Sequence, residues 1–520
     1  MSKLTPIPGL SPQDARASVD SDQTGLEESS GDREETTSEL RRKALSAVAL
    51  VAGRNLIIKL VALLGNVVFA RLLSPSNFGT VAFGLTILVF VQLLSDGGIG
   101  VGLIRRTEEL HLEDLRVLLG FQLLLTTTLA VAIAGTASAA PFGRPGLVTA
   151  VMMLALPLLA LRAPSSIAFE RGLNYAPLVR VEVIEEVSYY AWGIATVVLG
   201  AGVWGLATAS VVKALIGTLV MFSVSPVARL IPSYSWQRLK PMLGFGLKFQ
   251  AVGVVGAAGA ALLNFGVAGV GGLAVLGLWA MASRLLQIPL LLFSTLWRVS
   301  YPAAAQLLAA GESARKMIER GLGLAAVATG AILAPATGSL SPLVPAMFGQ
   351  RWTSVASVLP LMFFAFQVSG PISVTTVGYL YAVGDTATVL YATVAVNIVW
   401  LAISLPLLSS LGVVALGLGG MVSAFVECII LSRTVRRRTG AVILKPILTP
   451  WMCASVAGAL GWLVSRTVSH GFVAALIGAT VAMCIYVVPI VLLQRQDVLT
   501  ILRLGIRAVR PGDATDNKDA

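Results

Sequence analysis

The chain has 520 residues and a formal net charge of +12; 56% of its residues are hydrophobic and only 12% charged, about half the roughly 25% charge of a soluble domain. That excludes a water-soluble globular fold. The positive excess does not indicate nucleic acid, because Lys and Arg stand in short gaps between long apolar runs, where they set topology and meet anionic headgroups.

In chain order, residues 1–43 form an acidic tail. Its first forty residues hold nine acidic and three basic side chains with no apolar periodicity, which predicts a disordered cytoplasmic segment. It lacks the basic start, short apolar core and cleavage site of a signal peptide, so the first span acts as the membrane signal. About fourteen apolar stretches follow, near residues 45–70, 78–102, 114–138, 146–164, 177–200, 203–224, 244–270, 273–297, 318–340, 354–380, 387–408, 411–432, 447–465 and 472–493. Each is near the length that crosses a ~30 Å hydrocarbon layer. About 27 of the 38 Lys and Arg lie in the terminal tracts and even gaps, and about four in the odd gaps, namely Arg71, Arg144, Arg351 and Arg466. This bias makes the even gaps and both termini cytoplasmic. The outward gaps are tiny, such as Gly200 to Gly202, whereas Pro226 to Leu243 and Val299 to Glu319 read as inward linkers. Residues 495–520 read as a basic cytoplasmic tail whose first part lies along the inner face. Cys428, Cys453 and Cys484 fall inside apolar runs without metal-ligand spacing and read as packing residues.

The fold class is all-α and polytopic. Asn66 stands thirteen residues before Gly79, and Asn264 thirteen before Gly277, at an offset of 198; Gly202-Val203 returns as Gly412-Val413 at 210. Six spans therefore repeat as an N-lobe over 44–232 and a C-lobe over 233–440, with two further helices over 441–494. Parallel lobes related by an axis along the membrane normal enclose a cavity at their interface.

Three motifs near the start carry local physics. Ser74-Pro75 stops one helix, and Asn77 is placed to cap the next. Gly97-Gly98-x-Gly100 permits close helix approach, beside Asp96, which is placed either to brace Arg105 or Arg106 or to cap. The run Phe69-Ala70-Arg71-Leu72-Leu73-Ser74-Pro75-Ser76-Asn77-Phe78-Gly79, with Ser95-Asp96-Gly97-Gly98-Ile99-Gly100, resembles the Wzx-type oligosaccharide flippases of the multidrug/oligosaccharidyl-lipid/polysaccharide exporter superfamily. By span count the resemblance covers residues 44–493, and the acidic tail is longer than the family shows. It implies a fourteen-helix, inverted-V transporter that moves undecaprenyl-diphosphate-linked oligosaccharide outward across a bacterial inner membrane for surface polysaccharide, lipopolysaccharide or exopolysaccharide. The implied partners are that lipid-linked cargo, membrane lipids, a polysaccharide polymerase and export machinery. Lipid II, or a drug or cation, is the alternative cargo within the superfamily. A membrane polymerase or ligase is the enzymatic alternative, against which the short outward gaps argue.

Ionisable groups within spans face a cavity or a partner. In span one, Asn55, Lys59 and Asn66 stack at spacings of four and seven, with Arg54 one turn away. Such a stripe suits a diphosphate and sugar hydroxyls, the guanidinium as a fork and the ammonium as a point charge. Lys213 and Arg284 add cations, and Asn264 echoes Asn66. At the offset of 198, Arg54 maps to Val252, Lys59 to Ala257 and Arg284 to Thr86, so the cations are not scaffold shared by both halves. The other reading has Arg54 snorkelling and Lys213 paired with a buried acid. Asp96, Glu182, Glu185, Glu186 and Glu427 are candidates for gating or for coupling to H+ or Na+, or else neutralise nearby cations. No metal or nucleotide motif appears, and no cofactor or enzymatic step is expected.

Overall fold

The computed structural model describes residues 53–54, 57–105, 111–139, 143–225, 227, 229–309, 311, 313–468 and 471–494. The two tails, Asn55 and Arg106 lie outside them. Helix α1 covers 57–72. Ser74 then goes extended, its hydroxyl accepts the Asn77 N–H at 3.3 Å, and Pro75 opens α2 (Pro75–Asp96). The cap is thus Ser74 rather than Asn77, because Pro75 already has the fixed φ of a first helical residue.

Four helices follow in the first half, α3 (Ile99–Arg105), α4 (Leu112–Ala139), α5 (Gly143–Met153) and α6 (Ala155–Leu161). The fourth span is broken between the last two. Pro157 cannot donate to Met153, and the Leu154 N–H turns to the Val151 carbonyl at 3.1 Å, three residues back rather than four. After α7 (Ala163–Arg171), α8 (Tyr175–Thr196) and α9 (Val203–Val224) complete the half. The second half holds α10 (Trp236–Val270), α11 (Gly272–Ala309), α12 (Ala314–Phe348), α13 (Val355–Ala382), α14 (Thr386–Leu411) and α15 (Val414–Thr439), then α16 (Leu444–Val468) and α17 (Phe472–Leu493). Helices α10 and α11 run into the expected linkers, since Leu239-Lys240 and Ala303-Ala304-Ala305-Gln306-Leu307 are strong helix formers.

Among the described residues, twelve helical stretches are long and apolar enough to cross a membrane. The other two expected spans are α1, described from 57 to 72, and α8, which carries Arg180, Glu182, Glu185 and Glu186. Within the first half α8 packs on α9, and α5 packs on α4 and α2. Six spans later α14 packs on α15, and α13 on α12 and α11; α16 and α17 lie against α12.

Helices α2 and α11 approach closely where the two glycines of the expected repeat stand. A Cβ on Gly79 would lie 1.7 Å from the Leu273 carbonyl oxygen, and one on Gly277 would lie 1.8 Å from that of Pro75. Beside them Trp352 is fully buried, donates to the Ala70 carbonyl at 2.9 Å and meets Phe78 edge-on at 5.0 Å. Arg71 Nε donates to the Met347 carbonyl at 3.0 Å. At the other end of α2, Gly98 adopts φ 71°, and a Cβ there would lie 2.3 Å from the Gly246 carbonyl oxygen.

Candidate functional site

Helices α1, α2, α8, α9 and α11 and the break between α6 and α7 surround a cavity of about 740 Å³. Seven-residue spacing on α1 brings Lys59 and Asn66 onto its wall, and α11 contributes Arg284. On α8, Glu182, Glu185 and Glu186 stand at spacings of three and four, hence on one face. Each meets a cation from a different element. Glu182 pairs with Arg54, Glu185 with Arg162 at the helix break, and Glu186 accepts from Lys213 Nζ at 2.6 Å. Glu185 is only 4% exposed, so its ion pair satisfies a charge that would be expensive to leave alone.

Arg284 makes no ion pair with a carboxylate among the described residues. Its guanidinium donates to Asn66 Oδ1, and Asn66 Nδ2 in turn donates to Tyr190 OH at 3.1 Å. The Arg284 charge sits 5.3 Å over the Phe78 ring, a cation–π placement. Lys59 likewise lines the cavity with no carboxylate partner among the described residues. Lys59, Arg162, Lys213 and Arg284 thus line the cavity with Glu182, Glu185 and Glu186, and Lys59 and Arg284 are the two lining cations that no carboxylate among the described residues pairs with. The rim is apolar, with Leu60 51% and Ile288 56% exposed.

Other expected residues lie beside this cavity. Asn264 donates to Thr86 Oγ1 at 3.0 Å and opens on an adjoining space of about 300 Å³ that Arg284 also lines. Asp96 accepts from Gln250 Nε2 at 2.8 Å, across the two halves. It faces a third space of about 340 Å³ shared with Arg162, Glu170 and Glu182. Glu427, on α15, bonds Ser373 and does not line the main cavity.

Two residues that the sequence does not flag belong here. Arg162 stands where basic residues ordinarily mark topology; only the flanking Pro157 and Pro164 signal a helix broken inside the bundle. Glu170, on the short α7 outside the spans, is pushed above the usual carboxylate range by burial and then by Glu182 and Asp96.

The family model described as polysaccharide biosynthesis protein matches residues 68–357, more than half of the chain. The succinoglycan biosynthesis transport protein ExoT of Rhizobium meliloti (strain 1021) is 25% identical over 335 residues, which is 62% of this chain and 65% of that protein. The lipopolysaccharide biosynthesis protein WzxC of Escherichia coli (strain K12) is 24% identical over 336 residues, 62% of this chain and 67% of that one. The match therefore spans about two thirds of the length of these relatives. The lipid II flippase MurJ, solved in an inward closed conformation, shares the fold with a TM-score of 0.69 at 12% identity, covering 86% of this chain and 99% of that chain.

Proposed function

We propose that this chain, which belongs to the polysaccharide biosynthesis protein family, is a flippase that carries a lipid-linked oligosaccharide across a bacterial inner membrane. The observation that carries this reading is the cavity's uncompensated charge. Lys59 and Arg284 place two cations without carboxylate partners among the described residues in a space bounded by apolar helices, and a diphosphate diester brings −2. A phosphate crossing hydrocarbon alone would lose its hydration; here the two cations replace that hydration while Asn66 holds the Arg284 fork in place. The exposed Leu60 and Ile288 on the rim suit a polyprenyl chain that stays in lipid as its headgroup enters. The names of ExoT and WzxC support a polysaccharide-related cargo.

A cationic drug would meet like charge in this cavity, which argues against a cation exporter. Lipid II shares the diphosphate and differs in its sugars. A polymerase or ligase is disfavoured because the cavity presents paired charges and no nucleophile–base arrangement among the described residues. The carboxylates facing the cavity and its inner mouth supply sites for a coupling ion, H+ or Na+. Of these, Glu170 and Asp96 stand with Glu182 around one space, so a proton shared there would ease their mutual repulsion. Both termini are assigned to the cytoplasm.

The test uses cells deleted for this gene and complemented with variants. Arg284→Gln and Lys59→Gln should each cut polymer export by at least about tenfold, the cost of losing one charge-assisted bond to phosphate, at unchanged membrane abundance. Diphosphate-linked glycan should accumulate on the cytoplasmic face. Export at the wild-type rate by both variants would overturn the reading.

A further inference from the structure

A further space lies away from the cargo cavity and its two neighbours, between α12, α13 and α16, with a volume of about 420 Å³. It runs from Thr353 to Gln367 on the α13 side and from Arg466 to Ser455 on α16. At 1.5 Å per helical residue these stretches are roughly 21 and 17 Å long; the longer matches the depth of one leaflet with its headgroups, about 20–22 Å, and the shorter that of its hydrocarbon half, about 15 Å. At its deep end Ser455 donates to Gln367 Oε1 at 3.1 Å, and Gln367 is buried.

The mouth is cationic. The Arg466 guanidinium stacks on Trp462 at 4.0 Å, and its Nε donates to Ser341 Oγ at 3.1 Å. Among the described residues no carboxylate pairs with Arg466, and its two terminal nitrogens make no hydrogen bond. With Nε anchored and the ring plane fixed by the indole, the free edge is the fork that fits a phosphate. Below it the wall turns apolar at Leu361 and Phe364.

We infer that this slot holds one anionic phospholipid of the leaflet at which α16 ends, its phosphate on Arg466 and an acyl chain along Leu361 and Phe364. The length of the slot selects the occupant. A glycerophospholipid chain fits one leaflet's depth, whereas an undecaprenyl chain is far longer than the slot. The bound lipid wedges α16 against α13, which otherwise meet mainly through α12.

The experiment is native mass spectrometry of the purified full-length chain titrated with phosphatidylglycerol. Arg466→Gln should weaken retention about fivefold, the factor one basic residue contributes near an anionic lipid surface. Ala459→Leu, which fills the slot from an exposed wall position without touching charge, should weaken it by a comparable factor. Equal melting temperatures in detergent establish that both variants are folded. Wild-type retention by either variant would overturn the proposal. So would displacement of phosphatidylglycerol by undecaprenyl phosphate in an Arg466-dependent manner, since the slot would then belong to the carrier lipid.

Discussion

Replacing Gly79 by Ala tests what holds the two halves together where α2 begins. The new Cβ would stand 1.7 Å from the Leu273 carbonyl oxygen, and ordinary contact begins near 3.4 Å, so α2 and α11 must part by about 1.7 Å. The obstacle is backbone on both sides, which no rotamer change relieves. Overpacking of this kind costs about 1–3 kcal/mol. The same separation stretches the 2.9 Å bond from Trp352 to Ala70 and the 3.0 Å bond from Arg71 to Met347 beyond useful length. Placed on the closed form alone, 1–3 kcal/mol shifts the ratio of closed to open molecules roughly 5- to 150-fold. The assay places a single cysteine at Ser210, a nearly buried residue of the cavity wall, in a background lacking the three native cysteines. A membrane-impermeant thiol reagent is then added to spheroplasts. Gly79→Ala and Gly277→Ala should both speed labelling at least about fivefold. Gly253→Ala, which meets nothing within 4 Å, should not. If all three variants label at one rate, the glycine contact does not govern opening on that side.

Arg162→Gln leaves the buried Glu185 without its cation and should cost about 3–5 kcal/mol, seen as lower membrane abundance; Arg162→Gln with Glu185→Gln should restore it, and failure to do so would show that the pair is not what couples them. Asp385 caps α14, accepting the Thr388 N–H at 3.0 Å and pairing with Arg438 at 2.6 Å, so Asp385→Ala should lose about 1 kcal/mol in a detergent melt. Thr388, and then Arg438, hold the Asp385 carboxyl below the usual range. Its stabilisation is therefore complete above the ordinary carboxylate pKa of about 4 and lost as pH falls through the lowered one; the gap between variant and wild type should close in acid. A cysteine at Arg437 should resist an impermeant reagent in spheroplasts and react in inverted vesicles, and the opposite pattern would reverse the assigned topology.

Much of this architecture is legible in the residues because hydrocarbon leaves a helix no alternative. Every long apolar run among the described residues is helical, and Lys59, Lys213, Arg284 and the three α8 glutamates each have a partner or a cavity to face. That is why Lys59, Asn66, Lys213, Arg284 and the three α8 glutamates come together although they are scattered along the chain. Gly79 and Gly277, paired only by an offset, touch. The partners are less legible than the positions. In the sequence Arg54 reads either as a cargo contact or as a snorkelling residue, whereas Glu182 accepts from it; which acid reaches which cation depends on how α8 is rotated against α1 and α9, and spacing along one helix does not set that. Arg162 is hidden because an arginine at the end of an apolar run ordinarily marks the membrane surface. The continuation of α10 and α11 past the bilayer is hidden likewise, since basic amphipathic sequence reads equally well as linker.

The charge network on α8 also constrains how the protein is made. Arg54 and its partner Glu182 are separated by 128 residues, and at a synthesis rate of 5–20 residues per second the arginine precedes its counter-charge by roughly 6–26 s. During that interval the ion pair between Arg54 and Glu182 does not yet exist, and the guanidinium can reach for headgroups by snorkelling. Its final depth is set only when the carboxylates of α8 arrive. Biogenesis of the first half is therefore not strictly vectorial: a nascent chain stopped before residue 182 should leave α1 shallow and open to quality-control proteolysis, however apolar the helices already inserted.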